Sequence, residues 1–209
     1  MSEVQSNENG AARKRGPLKW AIGAVMLIGV AAVLYVIASA SFKPASAADL
    51  KEFKKASLEK LEVPAQPRPA PATVFTDMDG KPHTLADFKG QVVVMNLWAT
   101  WCAPCKREMP TLAKLQATYA AQPVKVLPIS VDKDVDLNLV QAEMAANPPL
   151  QSYRDPGYKL SFELEPRAAG YPTTIIYDKQ GRERARLAGD ADWSSKEARG
   201  LVEALLSEH

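Results

Sequence analysis

The chain has 209 residues, 46% of them hydrophobic, with 26 Lys/Arg against 24 Asp/Glu for a formal net charge of +2, two histidines and two cysteines. A near-neutral balance with no basic stripe and with scattered aromatics excludes a nucleic-acid binder. Two cysteines exclude a scaffold stapled by several disulfides.

Residues 1–48 carry five Lys/Arg and two Asp/Glu, with Arg13, Lys14, Arg15 and Lys19 ahead of an uncharged run of 21 residues from Trp20 to Ala40. As a helix at roughly 1.5 Å per residue that run is about 31 Å long, matching a hydrocarbon core of about 30 Å. Only Lys43 follows closely, so the positive-inside bias puts residues 1–19 in the cytoplasm and the rest of the chain on the far side. Ala45-Ser46-Ala47 before Ala48 has the small residues of a signal-peptide cleavage site, but cleaved signals have apolar regions of about 7–15 residues. The longer run favours a retained signal-anchor in a bacterial inner membrane, with the domain in the periplasm. Either reading exports the domain to a compartment where disulfides persist.

Asp49 to Glu62 places Leu50, Phe53, Leu58 and Leu61 among lysines and glutamates, a weak amphipathic pattern expected to be a solvated spacer. Pro64, Pro67, Pro69 and Pro71 then predict an extended tether of the polyproline type. The expected organisation is a cytoplasmic tail over 1–19, an anchor over 20–40, a Pro-rich linker over 41–72 and one domain over 73–209.

Within that domain the pattern predicts a strand at Thr73–Thr76, a turn at Asp79-Gly80 and a helical turn at Leu85–Phe88. A buried strand at Val92–Ala99 precedes a helix from the cysteines to about Tyr119, which Pro110 is expected to kink. Next come a strand at Val124–Val131, a helix over Val135–Ala146 ended by Asn147-Pro148-Pro149, and a short helix near Tyr158–Leu164. Strands at Thr173–Tyr177 and Glu183–Ala188 read as a hairpin, and Ser194 with Glu197 reads as the capping box of a last helix through Leu206. Helices and strands that alternate and end in a hairpin predict an α/β domain with a central mixed sheet flanked by helices.

Both cysteines fall in Trp101-Cys102-Ala103-Pro104-Cys105, directly after the buried strand. A cysteine at a helix N-terminus meets unpaired N–H groups and the positive end of the macrodipole, which favour thiolate over thiol. Cys102 is the expected attacking thiolate, and Cys105, one turn on, the resolving partner. Ala103-Pro104 suits a first turn, where proline gives up an N–H that has no helical partner. Zinc needs further cysteines or histidines, and only His83 and His209 remain. A structural disulfide closing so short a loop removes little chain entropy, and Lys106 after Cys105 rules out C-x-x-C-H haem attachment. Redox exchange is the best remaining account, and it calls for no metal and no cofactor.

From Thr73 to His209 the chain resembles the thioredoxin superfamily. The resemblance is carried by Trp98-Ala99-Thr100-Trp101-Cys102-Ala103-Pro104-Cys105, by Pro110 in the following helix, and by Tyr171-Pro172-Thr173, which looks like the family's cis-proline loop. C-x-x-C beside a βαβ pattern is the general sequence signal for this fold. The anchor, the stretch from Gly90 to Cys105 and the insert before Tyr171 are most similar to membrane-anchored TlpA- and ResA-like thiol-disulfide oxidoreductases, TlpA above all. The resemblance implies a Cys102–Cys105 redox disulfide, a cis Tyr171-Pro172 bond, and a substrate surface from Trp101, Ala103, Pro104, Tyr171 and Pro172. Trp98 and Trp101 are expected to be packing residues first, with Trp101 also shaping the exposed surface beside Cys102.

Asn96 stands where thioredoxins typically place a buried, proton-accepting aspartate, and Glu108 matches a functional glutamate of ResA-like proteins. Glu108 is thus either a group that tunes both thiols or a solvated helix charge. Thr173, where CcmG-like reductases usually carry glutamate, favours TlpA. Met95 and Ala99 stand where peroxiredoxins carry the proline and threonine of Pro-x-x-x-Thr-x-x-Cys, which disfavours a peroxidase. The implied activity is reduction of disulfides on exported proteins, supplied with electrons by a membrane reductant of the DsbD or CcdA kind. Implied substrates are copper-site cysteines in cytochrome oxidase assembly or, alternatively, apocytochrome c. A non-catalytic thioredoxin-like binding module is the alternative from another class.

Overall fold

The computed structural model describes residues 26, 28–33, 35 and 47–208. The chain divides into two units, Met1–Lys43 and Pro44–His209. In the first, the described residues are helical and exposed. The expected tail, the rest of the expected span and Ala45-Ser46 lie outside the described residues. Among those described, no helix is long and apolar enough to cross a membrane.

The second unit runs α1 (Ala47–Leu50), β1 (Arg68–Pro69), β2 (Phe75–Asp77), β3 (Pro82–His83), β4 (Val92–Trp98), α2 (Ala103–Thr118), β5 (Val124–Ser130), α3 (Leu137–Ala146), β6 (Tyr153–Arg154), α4 (Lys159–Glu163), β7 (Thr173–Tyr177), β8 (Arg182–Ala188) and α5 (Lys196–Leu206). The described strands form one sheet in the order β1-β8-β7-β4-β5-β6-β2-β3. The pairs β4–β5 and β5–β6 are parallel and the other neighbours antiparallel, as a thioredoxin-like mixed sheet requires.

Central β4 is buried along its whole length, which suits its apolar run because both faces of the sheet are covered. Side chains alternate: Val92, Val94 and Trp98 join one core cluster, and Val93, Met95 and Leu97 the other. The first cluster lies under α2 and α5, through Met109, Leu112, Leu201 and Leu205. The second holds Phe75, Phe88, Leu127, Ile129, Leu160 and Ile175. Period two therefore aims Asn96 at α2.

Residues 47–72, expected as spacer and tether, belong to the packed unit instead. Leu50, Leu58 and Leu61 are fully buried in the first cluster, each burial contributing roughly 1.5–3 kcal/mol. Phe53 lies so close to α5 that a Cβ on Gly200 would come within 2.6 Å of its ring. Glu62 exchanges both backbone hydrogen bonds with Arg186 at 2.8 and 2.9 Å, and β1 pairs with β8. Of the four prolines, Pro69 lies in β1 at the sheet edge, where a missing N–H is tolerated. The domain boundary expected at Thr73 thus moves back to α1.

Smaller differences have local causes. Ser195, rather than Ser194, caps α5 by accepting from Ala198 N at 3.2 Å, because Ser194 Oγ donates to Asp192 at 2.6 Å. The turn Leu85–Phe88 is present, closed by a Thr84–Asp87 capping box. Pro110 lies inside α2, which continues through it to Thr118.

Candidate active site

The active-site loop follows from the end of β4. Cys102 N donates to Ala99 O at 3.1 Å, closing a turn that ends the strand and delivers Cys102 as the N-cap of α2. Cys102 and Cys105 are joined as a disulfide with Cα atoms 5.3 Å apart. Cys105 N donates to Cys102 Sγ at 3.3 Å, so the cap position places a backbone donor on the first sulfur. The two sulfurs are not equivalent: Cys102 retains 6% exposure and Cys105 none. Ala103 is exposed and Pro104 partly so, in the first turn of the helix.

A carboxylate network holds this loop from the end of β5. Asp132 accepts from Thr100 N at 2.9 Å, from Thr100 Oγ1 at 2.8 Å and from Ser130 Oγ at 2.8 Å. The turn ahead of the cysteines is therefore fixed to the neighbouring parallel strand.

Glu108 lies three residues past Cys105, one turn along the same side of α2. It is 2% exposed, so it is not a solvated helix charge. Its Oε1 accepts from Asn96 Nδ2 at 2.8 Å, and its Oε2 from Trp193 Nε1 at 2.9 Å and Ala191 N at 3.1 Å. Burial pushes the Glu108 carboxyl up to about 7 against the pull of those three donors, with nearby Asp190 adding to the rise. Asn96 Nδ2 also donates to Thr174 Oγ1 at 2.8 Å, since the antiparallel register sets Asn96 opposite Thr174.

The Tyr171-Pro172 bond is cis. Tyr171 meets the ring of Trp101 edge-on at 5.8 Å, and its hydroxyl hydrogen-bonds Ser161 Oγ at 2.8 Å. Trp98 is buried as expected, and Trp101, 62% exposed, has the expected place on the surface beside Cys102 but not the packing role expected first. Residues 101–105 and Tyr171-Pro172, far apart in sequence, are thus joined through the Trp101–Tyr171 contact. Sequence reasoning missed Asp132, Thr174, Ala191 and Trp193. The strand register could have revealed Thr174; nothing local marks Trp193. Among the described residues no group of three or more His, Cys, Asp and Glu side chains could hold a metal ion.

The sequence pattern of the AhpC/TSA family matches residues 67–185. The chain is 31% identical over 121 residues to the thiol-disulfide oxidoreductase ResA of Geobacillus thermodenitrificans, covering 57% of this chain and 67% of that protein. It is 33% identical over 121 residues to the thioredoxin-like protein YneN of Bacillus subtilis, covering 54% and 65%. The crystal structure of a thioredoxin-family thiol:disulfide interchange protein from Chlorobium tepidum superposes with a TM-score of 0.57 at 26% identity, over 68% of this chain and 99% of that one. With the Cys102–Cys105 pair closed at the head of α2, the chain belongs to the AhpC/TSA family and is one of its thioredoxin-like thiol-disulfide oxidoreductases.

Proposed function

We propose that the chain is a membrane-anchored reductant of disulfides on exported proteins. The observation that carries the chemistry is the asymmetry of the pair: Cys102 reaches the surface beside exposed Trp101, while Cys105 and Glu108 are sealed beneath it. In the reduced form the Cys102 thiolate attacks one sulfur of a substrate disulfide, and the other substrate sulfur leaves as a thiolate. Cys105 gives its proton to the Glu108 carboxylate and attacks the Cys102 sulfur. That step releases the second substrate thiolate and leaves the Cys102–Cys105 disulfide. Two electrons have passed to the substrate, and a membrane dithiol of the DsbD or CcdA kind returns them. Trp101, Ala103, Pro104 and Tyr171 form the surface on which the substrate chain lies, and Pro172, expected as part of it, is buried next to Tyr171.

The apolar run at 20–40 and the basic residues before it support an inner-membrane anchor with residues 1–19 cytoplasmic and the catalytic unit periplasmic. Thr173 after the cis-proline supports substrates of cytochrome oxidase copper-site assembly, with apocytochrome c the alternative. In the full-length chain, Cys105→Ala should accumulate mixed disulfides through Cys102 on non-reducing gels. Capture by Cys102→Ala instead reverses the assignment. Absence of insulin reduction with dithiothreitol as donor favours a binding module. A mature N-terminus at Ala48 replaces the anchor with a cleaved signal.

A further inference from the structure

Strand β8 breaks its alternation once. Ile176 faces Ala185 and Tyr177 faces Glu183, so Arg184 is an extra residue, a β-bulge, between two ladder pairs. In an unbroken strand, residues three apart point to opposite faces; the extra residue brings Glu183 and Arg186 onto the same one. Their ladder partners, Tyr177 and Ile175, both belong to the second core cluster, so the two charged residues are directed into it.

There both are buried, and Arg186 Nε and Nη2 each meet a Glu183 carboxylate oxygen at 2.6 Å. The guanidinium still has donors to give. Nη1 donates to Pro166 O at 2.5 Å and Nη2 to Glu165 O at 3.1 Å. Arg68 reinforces the same point, with Nη1 3.3 Å from Glu165 O and 3.4 Å from Glu183. Glu165 and Pro166 open the loop that ends on Tyr171-Pro172. Its further ties include two to α4, from Ala168 N to Ser161 O at 3.0 Å and from Tyr171 to Ser161, and one from Gly189 N, just past β8, to Pro172 O at 2.9 Å. Behind the pair, Arg186 is fixed by its backbone bonds to Glu62.

We propose that the Glu183–Arg186 pair is a positioning device for the loop that carries Tyr171 and Pro172, and that it sets how well the site accepts a protein disulfide relative to a small one. The proposal rests on the disulfide-exchange reading above. A buried ion pair is a weak source of stability, since apolar residues of similar volume often serve as well or better. What apolar residues cannot do is hold one carboxylate and two carbonyls at once, which takes the planar, five-donor guanidinium fork. The pair acts through loop placement rather than on the sulfurs. A small aromatic disulfide needs access to Cys102 alone, whereas a polypeptide must lie along the loop.

The test compares insulin, reduced with dithiothreitol as donor, with 5,5′-dithiobis(2-nitrobenzoate), using the full chain, Arg186→Lys and the double variant Glu183→Leu/Arg186→Met. Arg186→Lys keeps the charge pair and loses the fork, so it decides the question even where the double variant fails to fold. In folded variants KM for insulin should rise on the order of ten- to a hundredfold, as for other small misplacements of a binding element, with kcat and the rate toward the small disulfide little changed. An unchanged KM for insulin, or a parallel loss on both substrates, overturns the proposal. A wild-type chain inactive on both overturns the disulfide-exchange reading itself.

Discussion

The indole N–H of Trp193 reaches Glu108 Oε2 at 2.9 Å across 85 residues of sequence. The segment leading into α5 thereby completes a carboxylate site that α2 and β4 begin. Trp193→Phe removes one donor to the ionised carboxylate, and a bond to a charged group contributes roughly 1.5–3 kcal/mol. The Glu108 carboxyl, already at about 7, should therefore rise further, by about one to two units. The pH profile of insulin reduction should move to higher pH by the same amount. A midpoint that stays in place denies Glu108 the role of proton acceptor.

The same carboxyl makes stability depend on pH in an unusual direction. Its folded value, about 7, lies above the ordinary 4.5, so between those limits the folded state binds more protons than the unfolded one. Stability is then full below pH 4.5 and declines as pH rises toward 7, by about 3 kcal/mol at roughly 1.4 kcal/mol per unit. Glu108→Gln should flatten that decline while slowing disulfide resolution, as read by urea unfolding at several pH values alongside turnover. A wild-type stability that does not fall across the window contradicts the burial argument.

If residues 47–62 were a spacer, truncating their leucines would cost nothing. Because Leu58 is fully buried, Leu58→Ala should destabilise the catalytic unit by about 2–5 kcal/mol. Thermal unfolding measures it, and a shift within error restores the spacer reading.

Gly200→Ala tests the same contact from the other side. In an ordinary helix interior the exchange stabilises by about 1 kcal/mol. Here the new methyl would meet the Phe53 ring at 2.6 Å, so the expected change is a loss of about 1–3 kcal/mol. Adding Phe53→Leu should recover most of it, and a double-mutant cycle that sums to zero means that the two residues do not touch.

Much of the fold was legible from periodicity. The apolar run of β4, the cysteine-led helix and the β7–β8 hairpin lie within a few residues of their expected ends, because each is specified by its own side chains. β1, β3 and β6 were not legible: two residues become a strand only when a partner presents its edge. Glu108 was ambiguous for a similar reason. On α2 alone it reads equally well as a surface charge, and its burial depends on Ala191 and Trp193, which nothing near residue 108 announces. Of the two roles expected for Trp101, the surface beside Cys102 is the one the structure gives it, because the turn at Ala99–Cys102 points it outward rather than into the packing. The Glu183–Arg186 pair escaped because the extra residue at Arg184 breaks the period that sequence reading relies on.

Both outer strands of the sheet, β1 and β3, are two residues long, and each contains a proline, Pro69 and Pro82. So short a margin with a missing donor gives an incoming extended chain almost nothing to pair with. Under the proposed function, in which disulfides of exported proteins are the substrates, this matters beyond stability. An extended substrate chain gains little by adding itself to either edge of the sheet. In the proposed exchange the substrate is met instead at the loop end, where engagement lasts only as long as a sulfur–sulfur bond, so the sheet edges take no part in holding it.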